Sequence, residues 1–141
     1  MAGITKTPKM YKCAVNYVGV TDMGLLFSKM PKVWEIWEEQ QKIEIGDYEN
    51  DKEYLDAVSP INLVDRIETP LYIVHGVRDW RVPIQHAQKL RRELVKNGKV
   101  EGEDFWWMVK TDEGHGFYKE ANKMELYSEL EKFFGRYLKD S

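Results

Sequence analysis

The sequence predicts an α/β fold, in which a mostly parallel β-sheet is covered by helices on both faces. Short apolar runs that are typical of buried strands alternate with longer segments that have helical periodicity. This alternation favours parallel strands joined by crossover helices. The composition is consistent with a packed core, because 43% of the 141 residues are hydrophobic and 13% are aromatic.

The first half of the chain predicts one strand and two helices. Residues 12–20, with the run K-C-A-V-N-Y-V-G-V, are mostly apolar and predict a buried strand. A helix is predicted over residues 31–41, because a proline suits its first turn and apolar side chains recur at helical spacing. Those side chains, which we expect to form one apolar face, are Val33, Ile36 and Trp37. A shorter helix is predicted over residues 52–58.

The second half predicts two strands and two helices. Residues 71–75 (L-Y-I-V-H) and 103–110, which contain F-W-W-M-V, predict buried strands. A helix is predicted over residues 83–97, with His86 exposed on it, and a closing helix over residues 118–138. The core-facing side chains expected on the first helix are Ile84, Ala87, Leu90 and Leu94, and those on the closing helix are Met124, Tyr127, Leu130, Phe134 and Tyr137. No repeat or linker divides the chain, so one domain is expected over residues 1–141.

Composition argues against several classes of function. The net charge is −3 and no basic run alternates with aromatic residues, which disfavours nucleic-acid binding. No apolar run is long enough to span a membrane. The single cysteine cannot form an internal disulfide, and one cysteine with three widely spaced histidines does not predict a metal site. The first residues do not have the pattern of a signal peptide, which favours a cytoplasmic location, but the compartment of the parent protein stays open because we expect its N-terminus to precede Met1.

Reactive side chains follow two of the predicted strands. Asp79 lies in H-G-V-R-D-W-R-V-P after residues 71–75, and His115 lies in T-D-E-G-H-G-F after residues 103–110. Because the carboxyl ends of parallel strands meet at one edge of the sheet, we expect the two side chains to lie close together. A carboxylate beside a histidine can fix its tautomer and stabilise its charged form. The alternatives are a turn or helix-capping aspartate and a turn histidine. His75 ends a buried strand, and we expect it to be a core or supporting histidine whose hydrogen bonds are satisfied.

The paired motifs H-G-x-x-D-x-R-V-P and E-G-H-G-F resemble the C-terminal end of the catalytic domain in the prolyl oligopeptidase family. The resemblance covers residues 11–138 and implies the C-terminal portion of an α/β-hydrolase fold. It further implies that Asp79 is the acid and His115 the base of a Ser-Asp-His triad, with no cofactor. Arg81 matches a position that contacts the substrate's backbone carbonyl, although it could instead pair with the neighbouring acid. Trp80, beside the acid, is a candidate for the wall of the substrate pocket.

One departure from the family pattern concerns the nucleophile, which this fold presents in a G-x-S-x-G turn. The chain has four serines, and none has glycines two positions before and two after it. These serines are Ser28, Ser59, Ser128 and Ser141. Residues 2–11 resemble the last turns of the helix that follows this turn in the family. We therefore expect that the nucleophile strand and its turn precede Met1, that residues 1–141 are one partial domain, and that this chain alone is inactive.

Three hypotheses for function follow. The first is a C-terminal fragment of a serine peptidase that hydrolyses short peptides. The second is an esterase or acyl hydrolase of the same fold, since a fold does not determine a substrate. The third is a non-catalytic assembly fragment. In each case an uncovered sheet edge predicts that the chain associates with itself.

Overall fold

A parallel three-stranded sheet lies at the centre of the chain in the computed structural model, which describes residues 1–139. The strands are β1 (Ala14–Tyr17), β2 (Leu71–Gly76) and β3 (Phe105–Lys110), in the order β1-β2-β3. The register places Ile73 of β2 between Asn16 of β1 and Trp107 of β3. The predicted α/β class with a parallel sheet is confirmed.

Helices occupy the connections between the strands. They are α1 (Ala2–Lys6), α2 (Met23–Ser28), α3 (Glu38–Glu44), α4 (Lys52–Val58), α5 (Gln85–Lys96) and α6 (Glu120–Leu138), with 3₁₀ helices at Pro8–Met10, Lys32–Trp37 and Pro60–Arg66. The predicted helix at residues 52–58 is confirmed, and α5 lies within residues 83–97. The strands predicted over residues 12–20 and 103–110 are shorter than expected at their ends.

The central strand β2 is buried along its whole length and has a hydrophobic core on each face. Leu71 and Ile73 point to one face, where they pack with α1, α5 and the 3₁₀ helix Pro60–Arg66. Tyr72 and Val74 point to the other face, where they pack with α6. Successive strand residues alternate between faces, so a continuous apolar run is needed when helices cover both.

The prediction that residues 31–41 form one helix with a single apolar face is wrong. Val33, Ile36 and Trp37 are 59%, 76% and 59% exposed. They lie in the 3₁₀ helix Lys32–Trp37, and α3 begins only at Glu38. Side chains at i and i+3 eclipse in a 3₁₀ helix, so Val33 and Ile36 do share a face, but that face is exposed instead of packing against the core.

The closing helix buries a different stripe from the predicted one. Met124 and Tyr127 are 65% and 63% exposed, whereas Leu126 and Phe133 are buried. The predicted Leu130 and Tyr137 do pack against the core, and Phe134 does not lie in it. Apolar side chains extend around much of this helix, so periodicity alone did not identify the side that meets the sheet.

His86 is fully buried, which corrects the prediction that it is exposed. The segment after β1 covers this side of α5. The backbone N–H of Thr21 donates to Nδ1 of His86 (3.3 Å), and the Thr21 hydroxyl donates to the His86 carbonyl (3.0 Å). This contact joins residues that are 65 positions apart, so local periodicity could not reveal it. The predicted core positions Ala87, Leu90 and Leu94 are confirmed.

Candidate active site

Asp79 lies in the loop after β2, and its side chain is fully buried. Oδ1 accepts hydrogen bonds from the backbone N–H groups of Arg81 and Val82, both at 2.9 Å. Bonds to groups two and three residues ahead form a local turn that fixes the carboxylate plane. Because Oδ1 is engaged by the turn, Oδ2 is left for a partner outside it.

That partner is His115, in the loop after β3. Its Nδ1 lies 2.9 Å from Oδ2 of Asp79, which confirms that the two loops bring these side chains together. An ionised carboxylate only accepts hydrogen bonds, so Nδ1 carries the proton in this pair. Nε2 then remains as the ring nitrogen that can accept a proton. The His115 side chain is 33% exposed, so it is also accessible from outside.

The two loops are joined by backbone contacts as well. The N–H of Arg78 donates to the Glu113 carbonyl (2.8 Å), and the N–H of Val77 donates to the Lys110 carbonyl (2.9 Å). At Gly76 the chains approach so closely that a Cβ would lie only 2.3 Å from the Gly114 carbonyl oxygen. Glycine is therefore required at position 76 by close backbone approach.

Glu113 supports the His115 loop, and sequence reasoning did not single it out. It is buried and accepts hydrogen bonds from the backbone N–H groups of Tyr118 and Lys119 and from the Asn122 side chain, at 2.7–2.9 Å. Burial opposes ionisation, but these hydrogen bonds outweigh it and lower the pKa of Glu113. A glutamate shortly before a predicted helix was the available signal, since acids stabilise helix N-termini.

Tyr17, at the end of β1, is a second supporting residue that the sequence did not indicate. Its hydroxyl accepts a hydrogen bond from the N–H of Phe117, and the two rings meet edge to face at 5.4 Å. The contact spans 100 positions. All three strands therefore contribute to the position of the His115 loop.

Arg81 and Trp80 are exposed beside His115, and all three line an open cavity of about 280 Å³. The Arg81 guanidinium lies over the Trp80 ring, 5.3 Å from its centre. Within residues 1–139, no ion pair involves Arg81, and only its backbone N–H meets Asp79. The alternative that Arg81 simply pairs with the acid is therefore not supported. Arg81 lines this cavity, and a guanidinium carries N–H donors from which a ligand there could accept hydrogen bonds.

His75 is buried behind Asp79, as predicted, but the expectation that its hydrogen bonds are satisfied is wrong, because Nδ1 has no partner within residues 1–139. Its Nε2 lies 2.8 Å from the Val82 carbonyl oxygen and 3.5 Å from Oδ2 of Asp79. Burial lowers the pKa of His75, because a charged ring would lose its hydration there, and the nearby carboxylate offsets only part of this effect.

Neither a metal centre nor a membrane-spanning helix is found in the part of the chain that the structure describes. No group of three or more histidine, cysteine, aspartate or glutamate side chains is arranged to hold a metal ion there. No helix within residues 1–139 is long and apolar enough to cross a membrane.

Sequence comparison places this chain in a known family. The model of the prolyl oligopeptidase family matches residues 1–141. The chain belongs to the prolyl oligopeptidase family. It is 31% identical over 140 residues to dipeptidyl aminopeptidase BIII of Pseudoxanthomonas mexicana, which covers 98% of this chain and 20% of that protein. It is also 26% identical over 133 residues to inactive dipeptidyl peptidase 10 of Rattus norvegicus, covering 94% of this chain and 15% of that one.

Solved structures of other peptidases share the fold. A puromycin-hydrolyzing peptidase of Mycobacterium tuberculosis superposes with a TM-score of 0.83 at 22% identity, over 96% of this chain and 19% of that one. The acylaminoacyl peptidase of Pyrococcus horikoshii gives 0.80 at 20% identity, over 98% and 22%. These peptidases have the α/β-hydrolase fold, which confirms the predicted fold class. The chain spans about a fifth of the length of the proteins it matches here.

Proposed function

We propose that this chain supplies the acid and the base of a serine peptidase that hydrolyses short peptides by Ser-Asp-His acyl transfer. The observation that carries the proposal is the 2.9 Å contact between Oδ2 of Asp79 and Nδ1 of His115. A carboxylate at this place sets the tautomer that a general base requires. The peptidase relatives named above support the substrate class.

In the proposed reaction His115 takes up a proton and gives it away again in each of two half-reactions. A serine hydroxyl attacks the peptide carbonyl carbon while Nε2 of His115 takes the hydroxyl proton, and Asp79 stabilises the resulting imidazolium. The imidazolium then gives that proton to the leaving amine, and an acyl-enzyme remains. A water molecule repeats the cycle, losing its proton to Nε2 as it attacks, and the serine regains a proton when the acid product leaves.

The serine is proposed to come from outside these 141 residues. Ser59 is buried, where its hydroxyl donates to the Leu55 carbonyl and accepts from the Met23 N–H. Ser28 donates to the Leu25 carbonyl, and Ser128 lies on α6. No hydrogen bond of these three serines involves His115, and no serine of the sequence lies in a G-x-S-x-G turn. The chain by itself is therefore expected to be inactive.

Arg81 and Trp80 are proposed to bind the substrate. Both line the cavity beside His115, and the stacked Arg81 guanidinium has no carboxylate partner within residues 1–139. A guanidinium held in this way can donate a hydrogen bond to a backbone carbonyl, or two parallel hydrogen bonds to a carboxylate. The exposed Trp80 ring offers an apolar surface to the adjoining side chain.

A non-catalytic role is the second candidate, and one observation favours it. A relative that matches 94% of this chain is named an inactive dipeptidyl peptidase, so the shared fold also occurs in a protein without this activity. An esterase of the same fold would use the same residues, because acyl transfer to water does not distinguish an amide from an ester.

The test compares substrates and variants in a longer protein that carries these residues together with a G-x-S-x-G turn. For each substrate, the rate of enzymatic cleavage is divided by the rate of its uncatalysed hydrolysis. This ratio should be larger for dipeptidyl and N-acylaminoacyl anilides than for a simple aryl ester. Asp79→Asn should lower kcat by roughly 10⁴-fold and His115→Ala by roughly 10⁶-fold. Asp65→Asn, which changes an exposed carboxylate, is the matched control and should leave kcat unchanged. Equal loss in the control, or full activity without His115, would contradict the proposal.

A further inference from the structure

The buried ring of His75 is a polar group that the proposed reaction does not use. It is 0% exposed, and its Nδ1 has no hydrogen-bond partner within the described residues. Leaving a buried polar atom unpaired destabilises the fold, whereas an apolar side chain of similar volume would avoid this penalty. Packing alone therefore does not account for a histidine here.

The other ring nitrogen makes a contact that leads to the site. Nε2 lies 2.8 Å from the carbonyl oxygen of Val82. A carbonyl only accepts hydrogen bonds, so Nε2 must carry the proton and His75 is the Nε2–H tautomer. Because burial keeps the ring neutral, Nδ1 has no proton to donate.

Val82 connects this ring to the acid. Its carbonyl accepts from His75, and its N–H donates to Oδ1 of Asp79 at 2.9 Å. Oδ2 of the same carboxylate contacts His115 at 2.9 Å. A continuous series of short contacts therefore runs from His75 through Val82 and Asp79 to His115. Nε2 of His75 also lies 3.5 Å from Oδ2 of Asp79.

We propose that His75 is a positioning residue, whose Nε2–H holds the Val82 carbonyl and thereby orients Asp79 toward His115. The inference rests on the proposed function, since it assigns His75 to the same acid–base pair. It requires that the side chain at position 75 donates a hydrogen bond from the position that Nε2 occupies. Volume and apolarity are not sufficient.

Two substitutions separate donation from packing. His75→Gln places an amide N–H near the position of Nε2, whereas His75→Met fills similar volume without a donor. If packing were the only role, Met would serve as well as Gln or better, because it removes the unpaired Nδ1. If positioning is the role, only Gln preserves the alignment of Asp79 with His115.

The measurement is nuclear magnetic resonance of the 141-residue chain, which has only three histidines to assign. In the wild type, the ¹⁵N shifts should show His75 as the neutral Nε2–H tautomer and His115 with its proton on Nδ1. His75→Met should speed exchange of the His115 Nδ1 proton and of the Arg81 and Val82 amides by at least about tenfold. His75→Gln should keep these rates within about threefold of the wild type.

Either of two results would overturn the inference. One is a folded His75→Met variant, checked by urea unfolding, whose His115 proton is as protected as in the wild type. The other is a wild-type His75 that carries its proton on Nδ1, a result that needs no variant to fold. Because neither readout uses turnover, an inactive longer protein would refute the proposed function while leaving this inference standing.

Discussion

At the scale of single residues, Asp79 uses its two oxygens for two different tasks. Oδ1 closes a turn on the N–H groups of Arg81 and Val82, and Oδ2 meets His115. The two interpretations that the sequence allowed, a turn aspartate and the partner of a histidine, are therefore both correct. The turn makes the pairing possible, because it fixes the carboxylate before His115 meets it.

His86 should make stability depend on pH. Burial lowers the pKa of His86 from 6.5 to about 4, because Thr21 and the segment around it cover the ring on the surface of α5. The folded pKa lies below the unfolded one, so the unfolded chain binds more protons in this range. Stability is full above about pH 6.5 and falls as the pH drops toward 4, by about 3 kcal/mol from this residue. Urea unfolding at several pH values measures this loss.

The control for this prediction is His86→Asn. Its side-chain oxygen can still accept from the Thr21 N–H, but the side chain does not titrate. The difference in unfolding free energy between wild type and variant should shrink or reverse between pH 6.5 and 4. A difference that stays constant over this range would show that His86 is not the group responsible.

Gly76 is a position where a single methyl group should open the site. A Cβ there would lie 2.3 Å from the Gly114 carbonyl oxygen and 2.5 Å from that of Glu113, which is backbone that cannot rotate away. Gly76→Ala should therefore cost roughly 1–3 kcal/mol of unfolding free energy and should weaken the bond from Arg78 to Glu113. Chemical denaturation and amide exchange at Arg78 measure the two effects.

The matched control is Gly135→Ala, inside α6. A Cβ at that position meets only the flexible Lys139 side chain, at 3.7 Å. Alanine should stabilise the helix there by about 0.5–1 kcal/mol. If Gly76→Ala proves as harmless as Gly135→Ala, the two loops are not held as closely as described.

At the scale of elements, prediction succeeded where the hydrophobic pattern had a single solution. The apolar run of β2 and the narrow stripe of α5 each fit one buried arrangement, and both were found. The proximity of Asp79 and His115 could then be predicted, because the carboxyl ends of parallel strands lie at one edge of the sheet. The pattern of α6 had two solutions, and the apolar side chains of the segment Lys32–Trp37 lie on a face that is exposed.

The supporting contacts of the site could not be predicted from the sequence. Thr21 with His86 and Tyr17 with Phe117 join residues 65 and 100 positions apart. Such pairs depend on how elements dock, and local periodicity carries no information about docking. Asp79 and His115 are 36 positions apart, yet they were predictable because each follows its own strand directly.

The true stripe of α6 can be tested with a pair of truncations. Leu126 is buried against the sheet, so Leu126→Ala should cost about 2–5 kcal/mol of unfolding free energy. Met124 is 65% exposed, so Met124→Ala should change stability by less than about 0.5 kcal/mol. Thermal or urea unfolding measures the loss of stability in both variants. A larger loss for Met124→Ala than for Leu126→Ala would support the buried stripe first predicted from the sequence.

At the scale of the whole molecule, β1 is unpaired on one side within the described residues, since it pairs only with β2. Apolar side chains at Val33, Ile36, Trp37 and Ile43 are also exposed. Uncovered strand edges and apolar patches promote association. We therefore predict that the 141-residue chain forms dimers or larger species at protein concentrations of about tens of micromolar, where exposed surfaces of this kind associate.

Light scattering measures this association directly. Ile36→Lys and Ile43→Lys should reduce it, because each places a charge on an exposed apolar position without disturbing the core. The exposed control Lys132→Arg should leave it unchanged. A wild-type chain that stays monomeric at these concentrations would contradict the prediction.

The central claim is that Asp79 and His115 serve a serine that these 141 residues do not contain, and labelling with a fluorophosphonate probe tests it most directly. Such a probe reacts with a serine only where a base and an oxyanion site activate it. The 141-residue chain should not label, whereas a longer protein with a G-x-S-x-G turn should label at that serine and lose labelling with His115→Ala. Labelling of the isolated chain at Ser28, Ser59, Ser128 or Ser141, abolished by His115→Ala, would contradict the account.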